Sequence, residues 1–138
     1  MKKILLLISF SLFPVLLWAM GGNKDSANDI PLPEKNYSVI ITDTQNVQTT
    51  ASRVSWEGKI YFQGRRGDAL ATIPFEKIAQ IDVNPNAVAP PGSIATKVTL
   101  KSGEAIQLYV KATSKTYGET SFGKFEIYLR DLQKIIFN

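Results

Sequence analysis

Histidine and cysteine are both absent from this 138-residue chain. Without them it lacks the commonest general base, the imidazole metal ligand and the thiol nucleophile. No disulfide can staple the fold either. Two nucleophile arrangements survive the exclusion, a Ser-Lys dyad and a pair of carboxylates. Lys101 and Ser102 are adjacent, but neighbours on a strand point to opposite faces. No carboxylate spacing stands out. Helical periodicity is missing as well, since no stretch longer than about one turn repeats its apolar residues at helical spacing. The composition therefore predicts a protein that is all-β and not an enzyme, with no cofactor and no metal. Asp25 and Asp29 lack the central Gly and closing Glu of a calcium loop.

The amino terminus reads as an export signal. Met1-Lys2-Lys3 is a short positive region, Ile4 to Trp18 is an apolar run broken by Pro14, and Ala19-Met20-Gly21 offers small residues around a cut after Gly21. A bilayer-spanning anchor needs about 20 uninterrupted apolar residues, so no stable membrane span is expected after cleavage. No cysteine follows the run, which removes lipoprotein attachment. The expected location is periplasmic or secreted. Losing residues 1–21 removes Lys2 and Lys3 and no acid, so net charge falls from +4 to about +2. That balance is weak for an electrostatic nucleic-acid binder, and no nucleic-acid partner is expected.

Two segments carry nearly the same pattern. Ile73 to Val83 and Ile127 to Phe137 both place apolar residues at their positions 1, 3, 6, 9 and 11. Val39 to Asp43 with Val47-Gln48 likewise resembles Val98 to Ser102 with Ile106-Gln107. A repeat of this period predicts one supersecondary unit used twice. The expected organisation is a signal peptide at 1–21, a flexible leader at 22–36, a first β unit at 37–83, a Pro-rich linker at 84–93 and a second β unit at 94–138. Units of about 45 residues without disulfide or metal are marginal alone, so the two are expected to pack as one compact domain.

Period-two alternation marks the strands. Ile60 and Phe62 alternate with Lys59, Tyr61 and Gln63; Ile106, Leu108 and Val110 with Gln107, Tyr109 and Lys111; Phe125, Ile127 and Leu129 with Glu126, Tyr128 and Arg130. Turns are expected at Glu57-Gly58, Gly64 to Asp68, Ser102-Gly103 and Tyr117 to Gly123. Each repeated segment reads as a strand, a single helical turn acting as a corner, and a final strand. Pro74 suits the start of such a turn because its missing N–H would be unpaired there.

This layout resembles the Sm-like small β-barrels. Val98 to Ile106 looks like their first hairpin around Ser102-Gly103, and Phe125 to Phe137 like their last two strands and corner. The second-strand glycine usual in that class is replaced near Leu108, and the amino-terminal helix and RNA-holding residues have no counterpart. The resemblance implies architecture and no site residues.

Binding candidates lie on the polar phase. Tyr61, Tyr109 and Tyr128 fall beside Lys59, Lys111 and Arg130, and tyrosines interleaved with cations suit partner contacts. The plainer account has them covering the far side of a sandwich. Trp56, before the Glu57-Gly58 turn, reads either as an exposed stacking platform or as a barrel plug. Arg66-Gly67-Asp68, preceded by Arg65, is the tripeptide that integrins read, and its simpler reading is a Gly-Asp hairpin turn flanked by solubilising arginines. Asn36-Tyr37-Ser38 is a glycosylation sequon that matters only in a eukaryote. The expected function is an exported, non-catalytic binding or assembly module holding an envelope protein, with a carbohydrate or envelope-polymer binder as the alternative and a hydrolase third.

Overall fold

A computed structural model describes residues 30–138, so the expected signal peptide and most of the leader lie outside the described residues. Ten strands form one antiparallel, curled half-barrel sheet: β1 (Val39–Asp43), β2 (Gln48–Trp56), β3 (Tyr61–Arg66), β4 (Ala69–Pro74), β5 (Ile78–Asn84), β6 (Ser93–Leu100), β7 (Ala105–Lys111), β8 (Lys115–Thr120), β9 (Gly123–Tyr128) and β10 (Leu132–Phe137). The expected all-β class holds. Strand order is β4-β3-β7-β6-β5-β10-β1-β2-β8-β9.

That order reads the same from either end when each strand is exchanged for the one five places away in the chain. Its centre is the β5/β10 pair, where Ile81 faces Ile135, Lys134 faces Asp82 and Ile136 faces Gln80. Each half of the sheet draws on both stretches of chain. The β3-β4 hairpin lies beside β7, and the β8-β9 hairpin beside β2. Interleaving answers the size problem, because neither stretch completes a sheet half without strands of the other.

The corners form where the chain pattern puts them. Pro74 (φ −60°, ψ 142°) and Tyr128 (φ −74°, ψ 151°) are extended, single 3₁₀ turns follow at Phe75–Lys77 and Leu129–Asp131, and the N–H of Ile78 or Leu132 donates back to the carbonyl of Phe75 or Leu129. Phe75 and Leu129 each drop into the core from the first position of the turn. The core is one cluster that includes Val39, Ile41, Val54, Phe62, Ile78, Ile81, Val98, Leu108, Leu132 and Ile135. Removing each large apolar side chain from water contributes about 1.5–3 kcal/mol, so the sheet depends on this inner face.

Two expected turns are shorter than the glycines suggested. Gly64 lies inside β3 and only Gly67-Asp68 turn; Tyr117 to Thr120 lie inside β8 and only Ser121-Phe122 turn. The reason is close approach between strands. A Cβ on Gly64 would sit 2.8 Å from Val110 Cγ2 and 2.9 Å from Leu108 Cβ, and one on Gly118 would sit 3.1 Å from Ala51 Cβ. These glycines let the hairpins lie against β7 and β2.

The described end of the leader rests on β2. The Arg53 N–H donates to Asn36 Oδ1 at 2.8 Å and its Nε to the Pro33 carbonyl at 3.1 Å, while Ser55 Oγ donates to the Pro31 carbonyl at 3.4 Å. Arg53 has φ +48° at an irregularity in β2, which lets that strand run on to Trp56. No described helix is long and apolar enough to cross a membrane.

Candidate functional site: a cationic groove between β3 and β7

Between β3 and β7 the sheet opens. Gly67-Asp68 is a two-residue hairpin turn, so Arg66 and Ala69 exchange hydrogen bonds, and the N–H and C=O groups of Tyr61, Gln63 and Arg65 point away from β4 toward β7. Only Arg65 meets a register partner there, Tyr109. Past Lys111 the chain leaves β7 through a turn in which the Ser114 N–H donates to the Lys111 carbonyl. The opposite seam is longer: β8 meets β2 at Ser52↔Glu119, Ser55↔Tyr117 and Trp56↔Thr116.

A groove of about 360 Å³ fills the open seam. Trp56, Lys59, Tyr61, Arg65, Tyr109 and Lys111 line it, which brings together six of the nine residues expected from sequence. Gln63, Gly64, Leu70, Val110, Glu57 and Ser114 complete the walls. Sequence reasoning missed these. One signal for Gly64 was available: its offset from Gly118 is the same as that of Ile73 from Ile127 in the repeated closing segments.

Lys59, Arg65 and Lys111 are exposed, and none belongs to the ion pairs among the described residues. Glu57 brings the one acid, and its Oε2 already accepts the Lys115 backbone N–H at 2.6 Å. Tyr61 and Tyr109 are half-buried. Trp56 is 4% exposed and meets Phe62 edge-on with ring centroids 4.7 Å apart. Of its two expected roles, this placement suits the plug.

The other three expected residues lie elsewhere. Arg66 stands exposed at the end of β3, outside the groove. Tyr128 borders a separate depression of about 300 Å³, lined by Asp43, Lys115, Glu126 and Asp131 among others. Arg130 packs its guanidinium 4.1 Å from the Tyr128 ring centroid, and Lys115 Nζ lies 4.7 Å from it on the same ring. Lys115 also bonds Glu126 at 2.7 Å. That hydrogen bond holds the Lys115 amine above its usual 10.5, against the opposing effect of burial. Within this lining Lys115 and Glu126 neutralise each other, and Asp43 and Asp131 add acids. No group of three or more potential metal ligands occurs among the described residues.

A family model described as "Uncharacterised protein" matches residues 33–138. The chain belongs to that family. The match takes in all ten strands and, from Pro33 on, the segment resting on β2. A relative from Aquifex aeolicus (strain VF5), also described as "Uncharacterized protein", is 24% identical over 138 residues, covering 99% of this chain and 96% of the relative. No solved structure matches.

Proposed function

We propose that this is an exported, non-catalytic binding module that holds a protein partner in the groove between β3 and β7. The carrying observation is convergence: six residues singled out for their chemistry, from three strands and a turn, line one cavity. Its size falls at the small end of ligand pockets, which run to about 300–1,000 Å³, so it suits a short segment of a partner. Tyr61, Tyr109 and Arg65 are of the residue types that contact hot spots favour. The absence of His and Cys is the support for a non-catalytic role, and the amino-terminal pattern is the support for export to the periplasm or beyond.

We also read the chain as one β unit used twice, of the Sm-like small-barrel kind, with the hairpins exchanged between copies. Support comes from the mirrored strand order, the paired corners and the equal sequence offsets of Ile81 from Ile135 and of Gly64 from Gly118.

A photo-cross-linking residue in place of Tyr109, irradiated in envelope extract, tests the groove. The expected result is a discrete protein adduct that does not form from the same residue in place of Tyr128. Adducts from both positions, or from neither, would sink the proposal. Thermal stabilisation by peptidoglycan fragments or oligosaccharides, lost in Tyr61→Ala, would establish the carbohydrate reading instead.

A further inference from the structure

The two seams of the sheet are built alike and furnished differently. Opposite the β3/β7 groove, the seam between β2 and β8 has its own hollow, lined by Ser38, Thr50, Ala51, Ser52, Glu119 and Thr120 together with Ser121. No tyrosine and no cation lines it. Glu119 follows Gly118 as Arg65 follows Gly64, so an acid occupies the place of a base. Its carboxylate is already shared between Arg53 at 3.6 Å and Lys124 at 3.2 Å. The β2/β8 ladder also runs on to Ser55↔Tyr117 and Trp56↔Thr116, whereas the β3/β7 ladder stops at Arg65↔Tyr109. One seam is thus paired and neutralised. The other keeps two strand positions, Tyr61 and Gln63, without a register partner on β7, beside three cations that belong to none of the ion pairs among the described residues.

We infer that the groove takes an acidic, extended peptide segment of a partner protein. The inference rests on the protein-binding proposal and narrows it. The segment lies antiparallel to β3 in the place β7 vacates, and its backbone bonds the N–H and C=O groups of Tyr61 and Gln63 as an added strand does. Its carboxylates meet Lys59, Arg65 and Lys111, of which Arg65 can pair with a carboxylate through two parallel bonds. Tyr61, Tyr109 and Leu70 share the face of Arg65 and Lys111 and flank the aliphatic stems of the acids, while Val110, on the other face, borders the side chains between them. An acidic polysaccharide would satisfy the cations but would leave those backbone groups unused, and Trp56, the tryptophan of the groove, is only 4% exposed for stacking a sugar ring. The peptide is therefore favoured.

Fluorescence anisotropy on the purified protein tests this. The probes are a labelled octapeptide pool with Glu fixed at alternate positions, the same pool with Gln in place of Glu, and labelled polygalacturonate. The Glu pool is expected to bind about tenfold more tightly than the Gln pool at low salt, with the gap closing as salt rises. Arg65→Gln and Lys111→Gln should each weaken it by about three- to tenfold, and Lys124→Gln, at the opposite seam, should leave it unchanged. Equal binding of both pools in a Tyr109-dependent way overturns the acidic preference and leaves protein binding standing. Polygalacturonate binding without peptide binding overturns both, as does the absence of any binding.

Discussion

Ile81 and Ile135 occupy the same position of the two repeated segments and face each other across the central strand pair. They mark the point about which the strand order is mirrored. Each is 2% exposed or less. Around this point each half of the sheet is completed by strands from the other stretch, and the seams that result differ in length and charge.

Because β3 rests on β7 and β8 on β2, neither stretch should fold alone. Fragments 30–84 and 85–138 are expected to be unstructured separately and to recover β-sheet circular dichroism when mixed. The connector between β5 and β6 is the natural cut point, since Val88 is 92% exposed. Protease nicking there should leave a complex that co-elutes as one species. A fragment that folds by itself would contradict the interleaved sheet.

Gly64 tolerates no side chain without movement of a neighbour. Gly64→Ala forces a Cβ to within 2.9 Å of Leu108 Cβ, itself fully buried, and overpacking of this kind costs about 1–3 kcal/mol. Gly118→Ala, with its nearest contact at 3.1 Å, should cost less. Thermal melts of the two variants give the ranking; a larger loss for Gly118→Ala would show that the β2/β8 seam is the tighter one.

Lys115 links stability to alkaline pH. Its folded-state amine is held above 10.5, the first cause being the hydrogen bond to Glu126. A raised folded value means the contribution is fully present below the unfolded value and is lost as pH climbs through the folded one. Carbon-detected NMR of labelled lysines should find the Lys115 midpoint above 10.5, and Glu126→Gln should bring it down. An unmoved midpoint in that variant would rule out the pair as the cause.

Lys111→Gln separates binding from folding. The residue is exposed and belongs to none of the ion pairs among the described residues, so unfolding free energy should change by no more than about 0.5 kcal/mol. Chemical denaturation checks this alongside the anisotropy titrations. A substantial loss of stability would place Lys111 in the architecture and remove it from the proposed binding face.

Much of the fold was legible because its signals are local. Alternation in Ile106 to Lys111 and Phe125 to Leu129 marks strands from neighbouring residues alone. Pro74 and the i, i+3 pair Phe75-Ile78 announce the corner in the same way. Gly64 and Gly118 were misread as turn residues because glycine in a strand is explained only by what lies opposite, and Val110 and Ala51 are distant in the chain. The site was legible as a set of residue types but not as a place. Tyr61 and Tyr109 belong to different strands, and only the crossing of β3 onto β7 brings them to one groove while leaving Tyr128 and Arg130 on another face.

Residue identity by itself determined the strand pattern and the paired corners, which follow from side chains within a few positions of one another, and the lack of imidazole or thiol chemistry, which follows from composition. Tertiary structure decided which hairpin lies beside which strand, and therefore where the sheet stays open. That choice depends on the close contacts at Gly64 and Gly118 and on how far β7 and β2 extend, which are distances between segments far apart in the chain.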